Sequence, residues 1–106
     1  MEIDEIRDYA LSLPEAEECF PFGEENLVMK VRGKIFIILD LVALPSTMNY
    51  KATPDDILDQ RDQYPDAIFP GFHMNKKHWN TLYLNRIVPS RKIQELVFAS
   101  YTLVKK

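Results

Sequence analysis

This chain has few of the residues that most often carry out chemistry. Its one cysteine, Cys19, cannot close an internal disulfide, which fits a reducing compartment. Next to Glu15, Glu17 and Glu18 its thiolate is disfavoured by like charge, so a buried structural cysteine is expected rather than a nucleophile paired with a histidine. With glycine only at 23, 33 and 71, there is no glycine-rich loop to cradle a phosphate. The two histidines, His73 and His78, are five apart, and no Cys-x-x-Cys or His-Glu-x-x-His spacing supports a metal site. No apolar run approaches the roughly 18 residues of a membrane span. The acidic opening Met1-Glu2-Ile3-Asp4-Glu5 lacks the apolar stretch of a secretory signal. These absences predict a cytoplasmic protein with no membrane contact, no cofactor or metal, and no catalytic residues.

What is present describes a single domain over residues 1–106. With 46% apolar and 27% charged residues, the chain can bury one modest core. Its net charge of −3 is unevenly spread. Residues 1–25 carry nine acids against Arg7 alone, whereas residues 67–106 carry seven bases against Glu95 alone. Such asymmetry can steer an anion toward one end, and it equally fits solvated helix faces. The overall acidity argues against a strong nonspecific nucleic-acid binder.

Periodicity gives the order α-β-β-β-α-β-β-α. Ile3, Ile6, Ala10 and Leu13 repeat at helical spacing, and Pro14 ends that helix. An acidic connector, Glu15–Glu18, then leads to Phe20-Pro21-Phe22-Gly23, an expected short edge strand or anchored turn. Residues 27–31 and 34–41 form a hairpin through Arg32-Gly33, and its second strand, apolar on both faces, is expected to lie centrally. Residues 46–51 alternate, with Met48 and Tyr50 on one face and Thr47, Asn49 and Lys51 on the other. Thr53-Pro54-Asp55-Asp56 is a helix start, with threonine as cap and proline at the first helical position. Residues 67–72 and 79–84 read as strands, and Ile93, Leu96, Val97, Tyr101 and Val104 mark a closing helix. The fold expected is α+β and two-layered, an antiparallel sheet of about five strands with the terminal helices packed on one face.

The densest stretch in donors is Phe69-Pro70-Gly71-Phe72-His73-Met74-Asn75-Lys76-Lys77-His78-Trp79-Asn80-Thr81, which holds both histidines and the only tryptophan. Buried amides and imidazoles must find partners or cost about 1–3 kcal/mol each. Either this segment is hydrogen-bonded internally and locks two strands, or Asn75, Lys76, Lys77, His78 and Trp79 present donors to a phosphate or carboxylate. Arg32, Lys51 and Arg86 are further basic candidates. If Lys30 and Arg32, Trp79 and Tyr83, and Lys51 share one sheet face, that face mixes aromatics with bases, a combination suited to single-stranded nucleic acid.

The run His73–Thr81 resembles the signature of the MmcQ/YjbR family of small bacterial proteins. Leu11-Ser12-Leu13-Pro14, Phe20-Pro21-Phe22-Gly23, the strand from Lys34 to Leu41, Tyr64-Pro65 and Ser100-Tyr101 agree, so the resemblance covers essentially the whole chain. It implies a double-wing α+β fold, frataxin-like or secretion-chaperone-like, and a DNA-binding label that rests on fold. The leading expectation is a binding domain for DNA or another polyanion through the Asn-Lys-Lys-His-Trp loop. The alternative is a protein-interaction or chaperone-like adaptor using an open sheet face or the acidic first helix. A third, metal binding by that helix, is suggested only by the frataxin-like fold.

Overall fold

In the computed structural model, which describes residues 1–106, three helices cover one face of a six-stranded antiparallel sheet. The elements are α1 (Ile3–Ser12), β1 (Ala16–Cys19), β2 (Asn26–Val31), β3 (Lys34–Asp40), β4 (Thr47–Lys51), α2 (Pro54–Gln63), β5 (Ile68–Pro70), β6 (Trp79–Tyr83) and α3 (Ser90–Lys105). The spatial order is β1-β2-β3-β4-β6-β5, so β3 is central, as its two-sided apolar pattern requires. Leu27, Met29 and Val31 of β2, Ile37 and Leu39 of β3, and Met48 and Tyr50 of β4 alternate onto the helix side. There they join Ile6 and Ala10 of α1, Ile57 of α2, and Ile93, Leu96, Val97, Tyr101 and Val104 of α3 in one buried cluster. No helix is long and apolar enough to cross a membrane.

Local signals explain the joints. Arg32 and Gly33 both take positive φ (52° and 77°), as a two-residue turn matched to strand twist requires. The Thr53 hydroxyl accepts from the Asp56 amide at 3.4 Å, and Pro54 sits at the first helical position of α2.

The acidic connector is a correction. Glu17 and Glu18 lie inside β1, which brings the sheet to six strands, and Phe20–Gly23 forms the turn after it. An edge strand needs only one ladder partner, and each acid finds a local counter-charge. Glu18, on the helix side, accepts from Arg7 Nε and Nη2 of α1 at 2.6 and 2.8 Å, and this hydrogen bonding holds its carboxyl below the usual carboxylate range. Glu17 lies directly across from Lys30. At the opposite edge β5 is only three residues long and ends on Pro70.

One serine repairs a break in the sheet. Pairing runs Met29↔Ile37 and then Lys30↔Ile35, so Phe36 is an extra, bulged residue, and the β3–β4 ladder stops at Ile37↔Tyr50. The bulge turns Phe36 toward the helices, where its ring meets Tyr101 edge to face at 5.4 Å. Ser100 of α3, fully buried, donates its hydroxyl to the Phe36 carbonyl at 2.6 Å and accepts from the Lys51 amide at 2.9 Å. It thus replaces the missing ladder contact and docks α3 on the sheet. Ser100→Ala leaves both backbone groups unpaired, and we expect a loss of about 1–3 kcal/mol. Urea unfolding of the two proteins measures it.

Candidate functional site

The sheet face away from the helices carries the features singled out by the sequence, and the register arranges them in rows. Cross-strand partners share a face. Glu17, Lys30 and Ile35 form one row across β1–β3, and at the same end of the sheet Lys51 stands directly opposite Trp79. The middle row is Cys19, Val28, Ile38, Asn49, Thr81 and Phe69, running across all six strands. Asn26, Asp40, Thr47 and Tyr83 form the third. Trp79, Tyr83, Lys51 and Lys30 therefore share this face and are all half-buried. Phe69 and Tyr83 meet edge to face at 5.4 Å.

The loop between β5 and β6 is built from beneath by one buried carboxamide. Asn80 is fully buried on the helix side. Its Nδ2 donates to the Tyr50 hydroxyl (3.3 Å), the Ile57 carbonyl (3.2 Å) and Gln60 Oε1 (3.4 Å). Its Oδ1 accepts from Arg61 Nε at 2.8 Å, and the same guanidinium donates through Nη2 to the Lys76 carbonyl. The Tyr50 hydroxyl donates to Gln60 at 2.8 Å, and its burial raises the phenol pKa. Above this network Asn75 closes the turn, its side chain accepting from the Lys77 amide and its carbonyl from the amides of His78 and Trp79. Gly71 packs so closely on Trp79 that a Cβ would stand 2.9 Å from the Trp79 Cβ. Only glycine allows β5 and the loop to lie there.

The segment thus locks strands and leaves donors free. Asn75 and Asn80 are spent internally, while the side chains of Lys76 and Lys77 are exposed at the surface of the anchored turn. His78 is half-buried, and its carbonyl accepts from the Ala52 amide beside Lys51. Lys51, His78 and Trp79 consequently share one corner, and Lys76 and Lys77 lie on the turn that leads into it. Arg32 and Arg86 do not join it. Arg32 sits in the β2–β3 turn, outside the strand alternation, with its guanidinium on Glu15 at 3.2 Å and the Lys105 carbonyl at 3.3 Å. Arg86 lies in the loop after β6, at the opposite end of the sheet, 4.0 Å from Glu2. No three histidine, cysteine or carboxylate side chains gather into a metal-ligating group.

Sequence reasoning did not find a cleft of about 380 Å³ on the same face. Its floor includes Asn26, Asp40, Thr47, Asn49 and Thr81, and its rims include Phe22 from the turn after β1 and Phe72 from the loop after β5. The Thr81 hydroxyl accepts from the Phe72 amide at 3.2 Å and donates to Asn49 Oδ1, so the β5–β6 loop is drawn over the sheet. The available signal was the parity of Thr47, Asn49 and Thr81, polar residues facing one way from central strands. A groove of similar size between α2 and α3, about 370 Å³, has a lining half apolar (Ala52, Leu96, Phe98 and Leu103 among them) and half polar, and its Gln60 Oε1 is already held by Tyr50 and Asn80.

Two outcomes check the buried network. Asn80→Ala removes partners from Tyr50, Gln60 and Arg61 together, and we expect at least about 1–3 kcal/mol of lost stability in urea. Because Tyr50 holds its proton more tightly folded than unfolded, its contribution is complete below the unfolded phenol value, about pH 10, and falls as pH rises above it. Melting temperature should drop above that pH, and Tyr50→Phe should flatten the drop.

Comparison with known proteins agrees with the fold. The YjbR family profile matches residues 11–103. The chain is 39% identical over 95 residues to the uncharacterized protein YbdF of Escherichia coli O157:H7, covering 90% of this chain and 77% of that protein. It is 32% identical over 101 residues to the uncharacterized protein YjbR of Escherichia coli K12, covering 95% of this chain and 85% of that protein. A crystal structure of a Deinococcus radiodurans protein with a DUF419 domain superposes with a TM-score of 0.93 at 36% identity, covering 98% of this chain and 78% of that one. A Pseudomonas syringae crystal structure shares the fold, with a TM-score of 0.83 at 23% identity over 97% of this chain and 98% of that one. A family profile spanning nearly the whole chain, together with these relatives, makes the chain a member of the YjbR family.

Proposed function

We propose that this domain binds nucleic acid, taking single-stranded DNA across the helix-free sheet face, and that it performs no catalytic step. The observation that carries the reading is the pairing of Lys51 with Trp79 on that face, at the end of the turn that bears the exposed Lys76 and Lys77. An indole offers a stacking surface to any base, and ammonium groups beside it neutralise the connecting phosphates. Lysine supplies charge without planar selectivity, so these contacts position the backbone rather than read sequence. His78 completes the corner. Arg32 and Arg86 have no part in this reading, because the first is engaged by Glu15 and the second is remote. The net charge of −3 makes the grip local and salt-sensitive.

Fluorescence anisotropy of labelled single- and double-stranded DNA at about 50 and 200 mM salt tests it. Binding should favour the single strand and weaken steeply with salt. Lys76→Ala/Lys77→Ala should lower the log–log salt slope by about 1.4, at roughly 0.7 per phosphate contact. Undiminished binding by that variant would sink the reading.

One observation favours a protein-docking module instead. Phe20, Phe22, Val42, Leu44 and Ile87 are exposed, on loops tied together by the Leu41 amide to the Glu25 carbonyl and the Leu84 amide to the Ser46 carbonyl. An adaptor using them should retain a protein, and no nucleic acid, in a pull-down at moderate salt.

A further inference from the structure

We infer that the cleft between Phe22 and Phe72 seats one unstacked base whose edge carries N–H donors, guanine or cytosine in preference to thymine. The ligand class rests on the nucleic-acid reading; the preference comes from the cleft. Two loops from opposite edges of the sheet come over the same face and leave about 380 Å³ between them, within the range of roughly 300–1,000 Å³ typical of small-ligand sites. Each brings a phenylalanine that is more than half exposed, Phe22 at 61% and Phe72 at 53%. Flat apolar rims select a flat ligand, and a base has a π-face on either side.

The floor sets which edge fits. Asp40 Oδ1 accepts from the amides of Val42 and Ala43 at 2.9 and 3.0 Å, which fixes the carboxylate and leaves Oδ2 without a protein partner. The Thr81 hydroxyl is committed to Phe72 and to Asn49 Oδ1, so the Asn49 amide keeps its N–H donors for a ligand. No lysine or arginine lines the cleft, and a phosphate there meets the Asp40 carboxylate. The carboxylate accepts from an amino or ring N–H, and the Asn49 amide beside it donates to the acceptor next to that N–H. Cytosine offers its N4 amino group beside the N3 acceptor, and guanine presents N1–H and N2–H donors beside O6. The one ring N–H of thymine instead lies between two carbonyl oxygens that meet the carboxylate's charge. The loop that lines the cleft through Phe72, His73 and Met74 continues into Lys76 and Lys77. On this inference a strand gripped there by its phosphates reaches the cleft along the same loop.

Nucleosides, which lack phosphate, test the cleft apart from the lysine corner. In ¹H–¹⁵N NMR titrations of the whole domain, deoxycytidine and deoxyguanosine should shift the amides of Asp40, Asn49, Phe72 and Thr81. They should bind at least about fivefold more tightly than thymidine. Asp40→Asn should erase that preference. Phe22→Ala, at an exposed position that spares the fold, should weaken all nucleosides by about fivefold or more. No shift at those amides with any nucleoside, or equal binding of thymidine and deoxycytidine, overturns the inference. If oligo-dC and oligo-dT bind the domain equally and Phe22→Ala changes neither, the phosphate grip stands and the base seat falls. If nucleosides shift the cleft amides while no oligonucleotide binds, the seat stands and the phosphate grip falls.

Discussion

The hydrogen-bonding capacity of one buried carboxamide underlies the anchoring of the β5–β6 loop at the candidate surface. Asn80 sits inside the core on β6, where its polar atoms cannot be left unpaired, and it binds β4 and α2 at once. Arg61 extends this hold by taking the Lys76 carbonyl. The exposed lysines are therefore carried on backbone fastened to the core. A loop held in this way loses less conformational freedom when it meets a ligand than a free one does. Polar burial on the helix side thus organises contact chemistry on the other.

Ser100 and Thr81 repeat the same economy at smaller scale. Each is a hydroxyl, at least 99% buried, that accepts from a backbone amide with one lone pair and donates with its proton. Ser100 mends the sheet where Phe36 bulges, and Thr81 draws the Phe72 loop over the opposite face. The two faces have different grammars. The helix side is an apolar cluster interrupted only by satisfied groups, whereas the other side carries amides, hydroxyls, a carboxylate and half-covered rings. That division follows from strand alternation in β4 and β6, where Met48, Tyr50 and Leu82 point one way and Thr47, Asn49 and Thr81 the other.

Most of the fold was legible because its elements carry unambiguous periods and stops. Thr53-Pro54, Arg32-Gly33 and the Ile93–Val104 stripe each encode their structure within a few residues. The alternation in 47–51 assigned both faces of β4 correctly. The acidic strand β1 was not legible, because what makes Glu17 and Glu18 acceptable in a strand is Lys30 across the ladder and Arg7 on a helix, neither near in sequence. The candidate surface was half legible. Asn75 through Trp79 announced themselves by donor density, and register, absent from any single sequence, was needed to put Lys51 beside Trp79 and to send Arg86 to the far end. Phe22 and Phe72 are fifty residues apart in sequence and come to one cleft only because two loops fold over one face.

The two borders of the sheet bear on how copies of this domain can meet. One border is a four-residue strand bearing Glu17 and Glu18, and the other is a three-residue strand closed by Pro70. Neither offers a long run of unpaired backbone to an incoming strand, and the acids and the proline discourage one further. The sheet is finished at six, closed to growth by strand addition or domain-to-domain zippering.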